Sequence, residues 1–187
     1  MQPSFHIETF SELTDQILAT TRSEVETALN SRICTLDDLA ALLSPAAEEF
    51  LPMMAARSRE LTAIRFGKTT QIFAPLYLSN FCINKCAYCG FAADNAIPRK
   101  KLTLDEVELE ANILKQRGFD HVLLVTGEAP AKAGVEYLEE VVLRLKNIFA
   151  ALSIEVQPME QEEYARLFRA GVTAVAVYQE TYDRRVY

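Results

Sequence analysis

From about residue 70 the chain alternates short apolar runs with amphipathic helical stretches, and this constrains its fold more than any other feature. The runs are Thr70 to Leu78 (TQIFAPLYL), His121 to Val125 (HVLLV), Ile154 to Val156 and Thr173 to Tyr178 (TAVAVY). Continuously apolar strands separated by helices pair in parallel and are covered by those helices, because a parallel connection has to cross back over the sheet. The expectation is an α/β fold with four parallel strands. Pro75 predicts an irregularity near the end of the first strand, since it has no N–H to give the ladder. Thr103-Leu104-Asp105-Glu106 has the form of a capping box and opens a helix ending near Gly118. Residues 134–150 form the next helix, with Tyr137, Leu138, Val141, Val142 and Leu145 at core spacing. Glu160 to Ala170 form the third, closed by Gly171.

Residues 1–68 read as a helical leader and 69–187 as the strand–helix domain. Within the leader, Ser11 to Thr20 and Ser23 to Leu29 carry apolar residues at helical spacing. Thr35 is an N-cap before Leu36-Asp37-Asp38. Pro45 opens a longer helix reaching about Arg65, with Phe50, Leu51, Met54 and Leu61 on one face. Half of the 187 residues are apolar and the net charge is −7. That apolar content excludes a disordered chain, and the acidic balance argues against nucleic acid, which requires a basic face. No apolar run approaches the ~18–20 residues of a membrane helix, and Met1 to Phe10 lacks the pattern of a secretory signal. A cytoplasmic protein without membrane contact is expected.

In parallel strand–helix architectures function collects at the C-terminal ends of the strands. Those ends carry a polar loop from Ser79 to Lys101, then Thr126-Gly127-Glu128, then Gln157-Pro158-Met159, then Gln179-Glu180-Thr181. The loop contains three of the four cysteines, Cys82, Cys86 and Cys89, in a C-x3-C-x2-C spacing. Clustered thiols point to metal or redox chemistry rather than to a disulfide framework. A structural zinc site needs a fourth ligand. His121 lies at the opposite rim, which leaves Cys34. A chance grouping of buried cysteines is at odds with the polar neighbours Asn80, Asn84 and Lys85. An iron–sulfur cluster with three protein thiolates leaves one iron open, as a catalytic metal site requires.

The C-x3-C-x2-C spacing with Tyr88 before its last cysteine resembles the signature of the radical S-adenosylmethionine (radical SAM) enzymes. Phe73-Ala74-Pro75-Leu76-Tyr77-Leu78-Ser79-Asn80, Val125-Thr126-Gly127-Glu128, Glu155-Val156-Gln157-Pro158 and Tyr178-Gln179-Glu180-Thr181-Tyr182 are similar to the tyrosine lyases of that superfamily. The leader stretch Leu42-Leu43-Ser44-Pro45-Ala46-Ala47 shares the likeness, which covers essentially the whole chain. The resemblance implies a helical segment followed by the first half of a (βα)8 barrel, with the cysteine loop after its first strand. It implies a [4Fe–4S] cluster on Cys82, Cys86 and Cys89, and S-adenosyl-L-methionine chelated to the fourth iron and cleaved to a 5′-deoxyadenosyl radical. The implied reaction breaks the Cα–Cβ bond of L-tyrosine, giving p-cresol and 2-iminoacetate for thiamine thiazole biosynthesis. Thiazole synthase and an electron donor such as flavodoxin are the implied partners.

By the same resemblance Tyr88 lies against the adenine, and Thr126, Gly127 and Glu128 receive the cofactor's ammonium, with Thr126 in place of the family's first glycine. Glu155 and Gln157 alternate along strand three, so both are expected on its lumen side. Gln179 and Glu180 end strand four and are expected to touch cofactor or substrate. Arg99-Lys100-Lys101 is either a solvated run or a set of cations near the anionic cluster. Cys34 is expected as a small core hydrophobe. The competing readings are the tyrosine lyase of [FeFe]-hydrogenase maturation and a metal-binding module without catalysis. Residues 70–187 amount to roughly half of the ~250 residues of a barrel, so the chain is expected to be a truncated form with little tyrosine cleavage alone.

Overall fold

The computed structural model describes residues 10–178, with side chains from residue 12 onward. The chain divides into two compact units, Met1–Thr69 and Thr70–Tyr187.

In the first unit, helices α1 (Phe10–Ala19), α2 (Arg22–Asn30), α3 (Leu36–Leu42) and α4 (Leu51–Phe66) follow in order, with a 3-10 segment, Pro45–Phe50, before α4. Thr21 and Thr35 each close a capping box, with Glu24 and Asp38 returning bonds to the cap backbone. These bonds satisfy N–H groups that a helix start leaves unpaired. The core of this unit is small: Val25, Ala47 and Phe50 are buried, with Leu29, Leu42, Ala46 and Met54 against them. Two expectations need correction. The stretch expected as one helix from Pro45 begins as 3-10, and its face is not buried as a unit, since Leu51 is 56% and Leu61 43% exposed. Cys34 is exposed rather than in a core. Among the described residues no single helix is long and apolar enough to cross a membrane.

The second unit is the parallel sheet that the alternating pattern predicts. Strands β1 (Ala74–Ser79), β2 (His121–Thr126), β3 (Ala151–Glu155) and β4 (Ala174–Val175) lie in the order β1-β2-β3-β4, every pair parallel. Between them run α5 (Leu104–Gln116), α6 (Pro130–Ala133), α7 (Val135–Leu145) and α8 (Gln161–Ala170). Leu76, Leu78, Val122, Leu124, Leu152 and Ile154 form one buried core with Val107 and Ala111 of α5, Leu138, Val141, Val142 and Leu145 of α7, and Leu167 of α8. All three long helices thus cover one face of the sheet. The alternate residues occupy the other face, which is less buried: Pro75 and Tyr77 are exposed, while Leu123, Val125, Ser153 and Glu155 are half-buried. Across that face the register sets Tyr77 beside Val125 and Val125 beside Glu155.

Element boundaries moved where local signals compete. The first strand starts at Ala74 and its register slips between Tyr77 and Ser79, just past Pro75. The helix expected over 134–150 is α7, Val135–Leu145, which stops earlier than expected, and the four-residue α6 precedes it across Gly134. A Cβ there would come within 2.6 Å of the Pro130 carbonyl oxygen. β4 keeps only Ala174 and Val175 of the expected run.

Candidate functional site

Because all four strands are parallel, their C-terminal ends share one edge, and there the structure ties together segments distant in sequence. The loop after β1 begins at Asn80. The Gly127 N–H donates to the Ser79 carbonyl at 3.0 Å, and the Ile83 N–H donates to the Glu128 carbonyl at 2.9 Å. Asn84 Nδ2 donates to Glu128 Oε2 at 2.6 Å. The cysteine loop is therefore sewn to the end of β2 by one backbone bond and one charge-assisted side-chain bond, just past the point where Gly127 joins the last residue of β1. Gly127 makes this approach possible: a Cβ there would lie 2.4 Å from the Phe81 carbonyl oxygen and 3.0 Å from Cys82 Cβ.

The far side of the loop is held by Arg99, whose guanidinium reaches four backbone carbonyls. Nη1 donates to Asn80 and Phe91, each at 2.7 Å, and Nη2 donates to Ala92 at 2.7 Å and Asn95 at 3.2 Å. Asn95 Nδ2 bonds the carbonyls of Cys89 and Gly90, and the Ala93 N–H bonds the Asn84 carbonyl at 2.7 Å. Asn80 joins the start of the loop to its end, with Nδ2 on the Pro98 carbonyl and Oδ1 accepting from Lys100 N–H. Of the basic run, Arg99 is the residue whose side chain bonds the loop among the described residues. Lys100 pairs with Glu106 at 2.7 Å, and Lys101 Nζ stands 4.6 Å from the centre of the Tyr137 ring. A loop this polar has no apolar core of its own, so the bonds supply its shape.

Cys82 and Cys89 are half-buried and Cys86 is exposed, all as free thiols. A short turn links the last two, with the Cys89 N–H donating to the Cys86 carbonyl at 3.1 Å. The Phe91 N–H lies 3.4 Å from Cys89 Sγ and donates to it. Among the described residues no three His, Cys, Asp or Glu side chains are gathered as for a single metal ion. His121 begins β2, at the opposite end from the loop, and bonds Gln71 instead. A cubane makes a different demand, because its three thiolates sit on three separate irons. Three soft donors on a loop braced from both sides, one already accepting an N–H bond, fit such a cluster.

Tyr88 is 68% exposed on the same loop. Thr126 and Gln157 are buried together: Thr126 Oγ1 donates to Gln157 Oε1 at 3.4 Å, and Gln157 Nε2 donates to the Ala133 carbonyl at 3.0 Å. Both ends of the Gln157 amide are thereby committed to β2 and α6. Glu155 is half-buried at the end of β3, and its carboxylate has no hydrogen-bond or ion-pair partner among the described residues. β3 ends at Glu155, so Gln157 lies beyond the strand alternation on which their shared side was expected. Gln179 and Glu180 lie outside the described residues. Sequence reasoning missed Asn84 and Asn95 as scaffold and Tyr77 as a member of the open face. Tyr77 meets Phe91 of the loop edge-on at 5.8 Å. Strand alternation from Leu76 and Leu78 was the signal that could have found it.

The profile of the radical SAM superfamily matches residues 76–187. The 2-iminoacetate synthase of Salmonella typhimurium is 48% identical over 169 residues, 89% of this chain and 44% of that protein. The 2-iminoacetate synthase of Escherichia coli is 46% identical over 167 residues, with the same shares covered. The crystal structure of HydG, a maturase of the [FeFe]-hydrogenase, superposes with a TM-score of 0.87 at 28% identity, covering 96% of this chain and 42% of that one. The chain thus spans less than half the length of the relatives it matches.

Proposed function

The chain belongs to the radical SAM superfamily, and from that premise we propose that it is the cluster-bearing portion of a 2-iminoacetate synthase, a lyase that cleaves L-tyrosine to 2-iminoacetate and p-cresol. The observation that carries this reading is the cysteine loop bonded to the Gly127-Glu128 end of β2, in a chain nearly half identical to two such synthases. A [4Fe–4S] cluster and S-adenosyl-L-methionine bound here would supply the one-electron chemistry of the reaction.

The protein's own contributions follow from its geometry. Cys82, Cys86 and Cys89 would hold the irons. Glu128, with its carboxylate pinned by Asn84, presents negative charge to the cofactor's ammonium, and Gly127 lets the loop lie against β2 closely enough for both to face one ligand. Tyr88 offers an aromatic face to the adenine. Glu155 supplies an uncommitted carboxylate at the strand edge. Thr126 and Gln157 are assigned a different task from direct ligation: they lock the end of β2 to the segment after β3 and to α6. The open face led by Tyr77 is where the substrate is held away from water. Thiazole synthase as consumer of the imine, an electron donor such as flavodoxin and a cytoplasmic location belong to the same proposal.

Anaerobic reconstitution tests it. Iron and acid-labile sulfide in equal amounts, with an EPR signal that changes when S-adenosyl-L-methionine is added, are expected. One zinc and no labile sulfide overturns the reading in favour of a metal-binding module. Formation of p-cresol is expected from a protein of the relatives' full length carrying these residues, with little from the 187 residues alone. The related maturase reading rests on a likeness of 28% identity, well below that to the synthases.

A further inference from the structure

The cysteine loop is short of apolar contacts, yet one half-buried side chain spans it. Arg99 bonds the carbonyl of Asn80, where the loop leaves β1, and those of Phe91, Ala92 and Asn95, beyond the last cysteine. All three clustered cysteines lie between these anchor points. Phe91 is bound at both ends of its backbone: its carbonyl accepts from Arg99 Nη1 at 2.7 Å, and its N–H donates to Cys89 Sγ at 3.4 Å. The Phe91 ring, edge-on to Tyr77, fixes the same residue from the side.

We infer that Arg99 is a positioning residue for the cluster loop, holding the Phe91 carbonyl so that the Phe91 N–H stays aimed at the Cys89 sulfur, and thereby raising the reduction potential of a cluster bound there. An N–H bond to a cluster sulfur stabilises the extra negative charge of the reduced state, so its loss moves the potential to more negative values. The planar, five-donor guanidinium can bridge four carbonyls, whereas an ammonium is a compact donor that cannot span both shoulders of the loop. Lysine at this position therefore keeps the positive charge and removes the geometry, which separates the relay from a simple charge effect. The inference rests on the proposed cluster site.

The test compares Arg99→Lys with the unaltered chain in two states. After anaerobic reconstitution, iron and sulfide contents are expected to match, and the midpoint potential, titrated by EPR, is expected to be more negative in the variant. An equal potential with a full cluster overturns the inference. In the metal-free chains, hydrogen exchange reads the positioning directly. The amides of Phe91, Ala92 and Ala93 are expected to exchange roughly tenfold faster in Arg99→Lys, the scale of one lost charged hydrogen bond, while Leu124 and Ile154 in the sheet keep their rates. Equal rates throughout overturn the inference, including where the variant holds no cluster. If the unaltered chain itself takes up no iron or sulfide, the proposed function fails, and the exchange comparison alone decides the role of Arg99.

Discussion

Gly127 is needed for the space it leaves rather than for its backbone angles, because it is not among the glycines with positive φ. The atoms a methyl group would meet, the Phe81 carbonyl oxygen at 2.4 Å and Cys82 Cβ at 3.0 Å, belong to backbone and to a short side chain, neither of which can swing aside. Gly127→Ala is therefore expected to push the cysteine loop off β2, costing about 1–3 kcal/mol as overpacking does and abolishing the EPR response to S-adenosyl-L-methionine. Gly90→Ala is the control: a Cβ there meets nothing within 4 Å, and both readouts are expected to stay unchanged. Asn84 supports a second prediction. Its amide fixes one oxygen of Glu128 at 2.6 Å, so Asn84→Ala leaves that carboxylate free to rotate. Binding of S-adenosyl-L-methionine, measured by titrating the same EPR change, is expected to weaken about tenfold, for a charge-assisted bond worth ~1.5 kcal/mol. A glycine needed for close approach could be suspected from its place at a strand end, but the atoms it makes room for could not. That contact depends on a loop whose path is set by Arg99 and Asn80, and the stretches that single those residues out do not say which backbone carbonyls they bond.

At the scale of elements, helix α5 connects the site to the covering layer. Thr103 caps it, with Oγ1 accepting the Glu106 N–H at 3.3 Å while Glu106 Oε2 accepts the Thr103 N–H at 2.8 Å. Lys100, at the end of the cysteine loop, pairs with the same Glu106. Its hydrogen bond, followed by that of the Thr103 backbone, holds the Glu106 carboxyl below its ordinary value of 4.5. A depressed pKa means that the ionised form is favoured in the folded chain. The stability it contributes is present above pH 4.5 and is lost as pH falls through the lower folded value. Thr103→Ala is expected to cost about 1 kcal/mol at neutral pH, the usual worth of an N-cap, whereas Lys100→Ala, which removes the largest cause of the depression, is expected to flatten the acid-side slope of stability, read from urea midpoints at a series of pH values. Such caps were legible because their signal is local: Thr35-x-x-Asp38 and Thr103-x-x-Glu106 each involve residues three apart. The short helix α6 was not, since its four residues are too few to show a helical period. The 3-10 turn before α4 escaped as well, because helical periodicity over six residues does not distinguish two hydrogen-bonding patterns.

For the molecule as a whole, the sheet of the second unit separates stability from chemistry by its two faces. The parallel arrangement and shared functional edge could be read from apolar runs alternating with amphipathic helices, and the sequential strand order from the family resemblance. What could not be read was that only one face is fully buried, because Leu, Val and Tyr on an open face look in sequence like Leu and Val in a core. Two adjacent leucines of β2 make the distinction measurable. Leu124 is completely buried within the cluster that joins the sheet to its helices, and Leu123, pointing the other way, is half-buried between Pro75 and Ser153 of the flanking strands. Leu124→Ala removes the same atoms as Leu123→Ala but leaves a cavity among side chains that cannot close over it. It is expected to cost about 2–5 kcal/mol, against roughly 1 kcal/mol for its neighbour. Chemical denaturation of the metal-free chain measures both. The reverse order is expected for chemistry: Leu123→Ala alters the open face on which the substrate is proposed to lie, so in a protein of the relatives' full length it slows p-cresol formation without a matching loss of stability. Equal denaturation midpoints for the two variants would show that both faces of the sheet are packed alike, and the division of labour drawn from its burial pattern would be wrong.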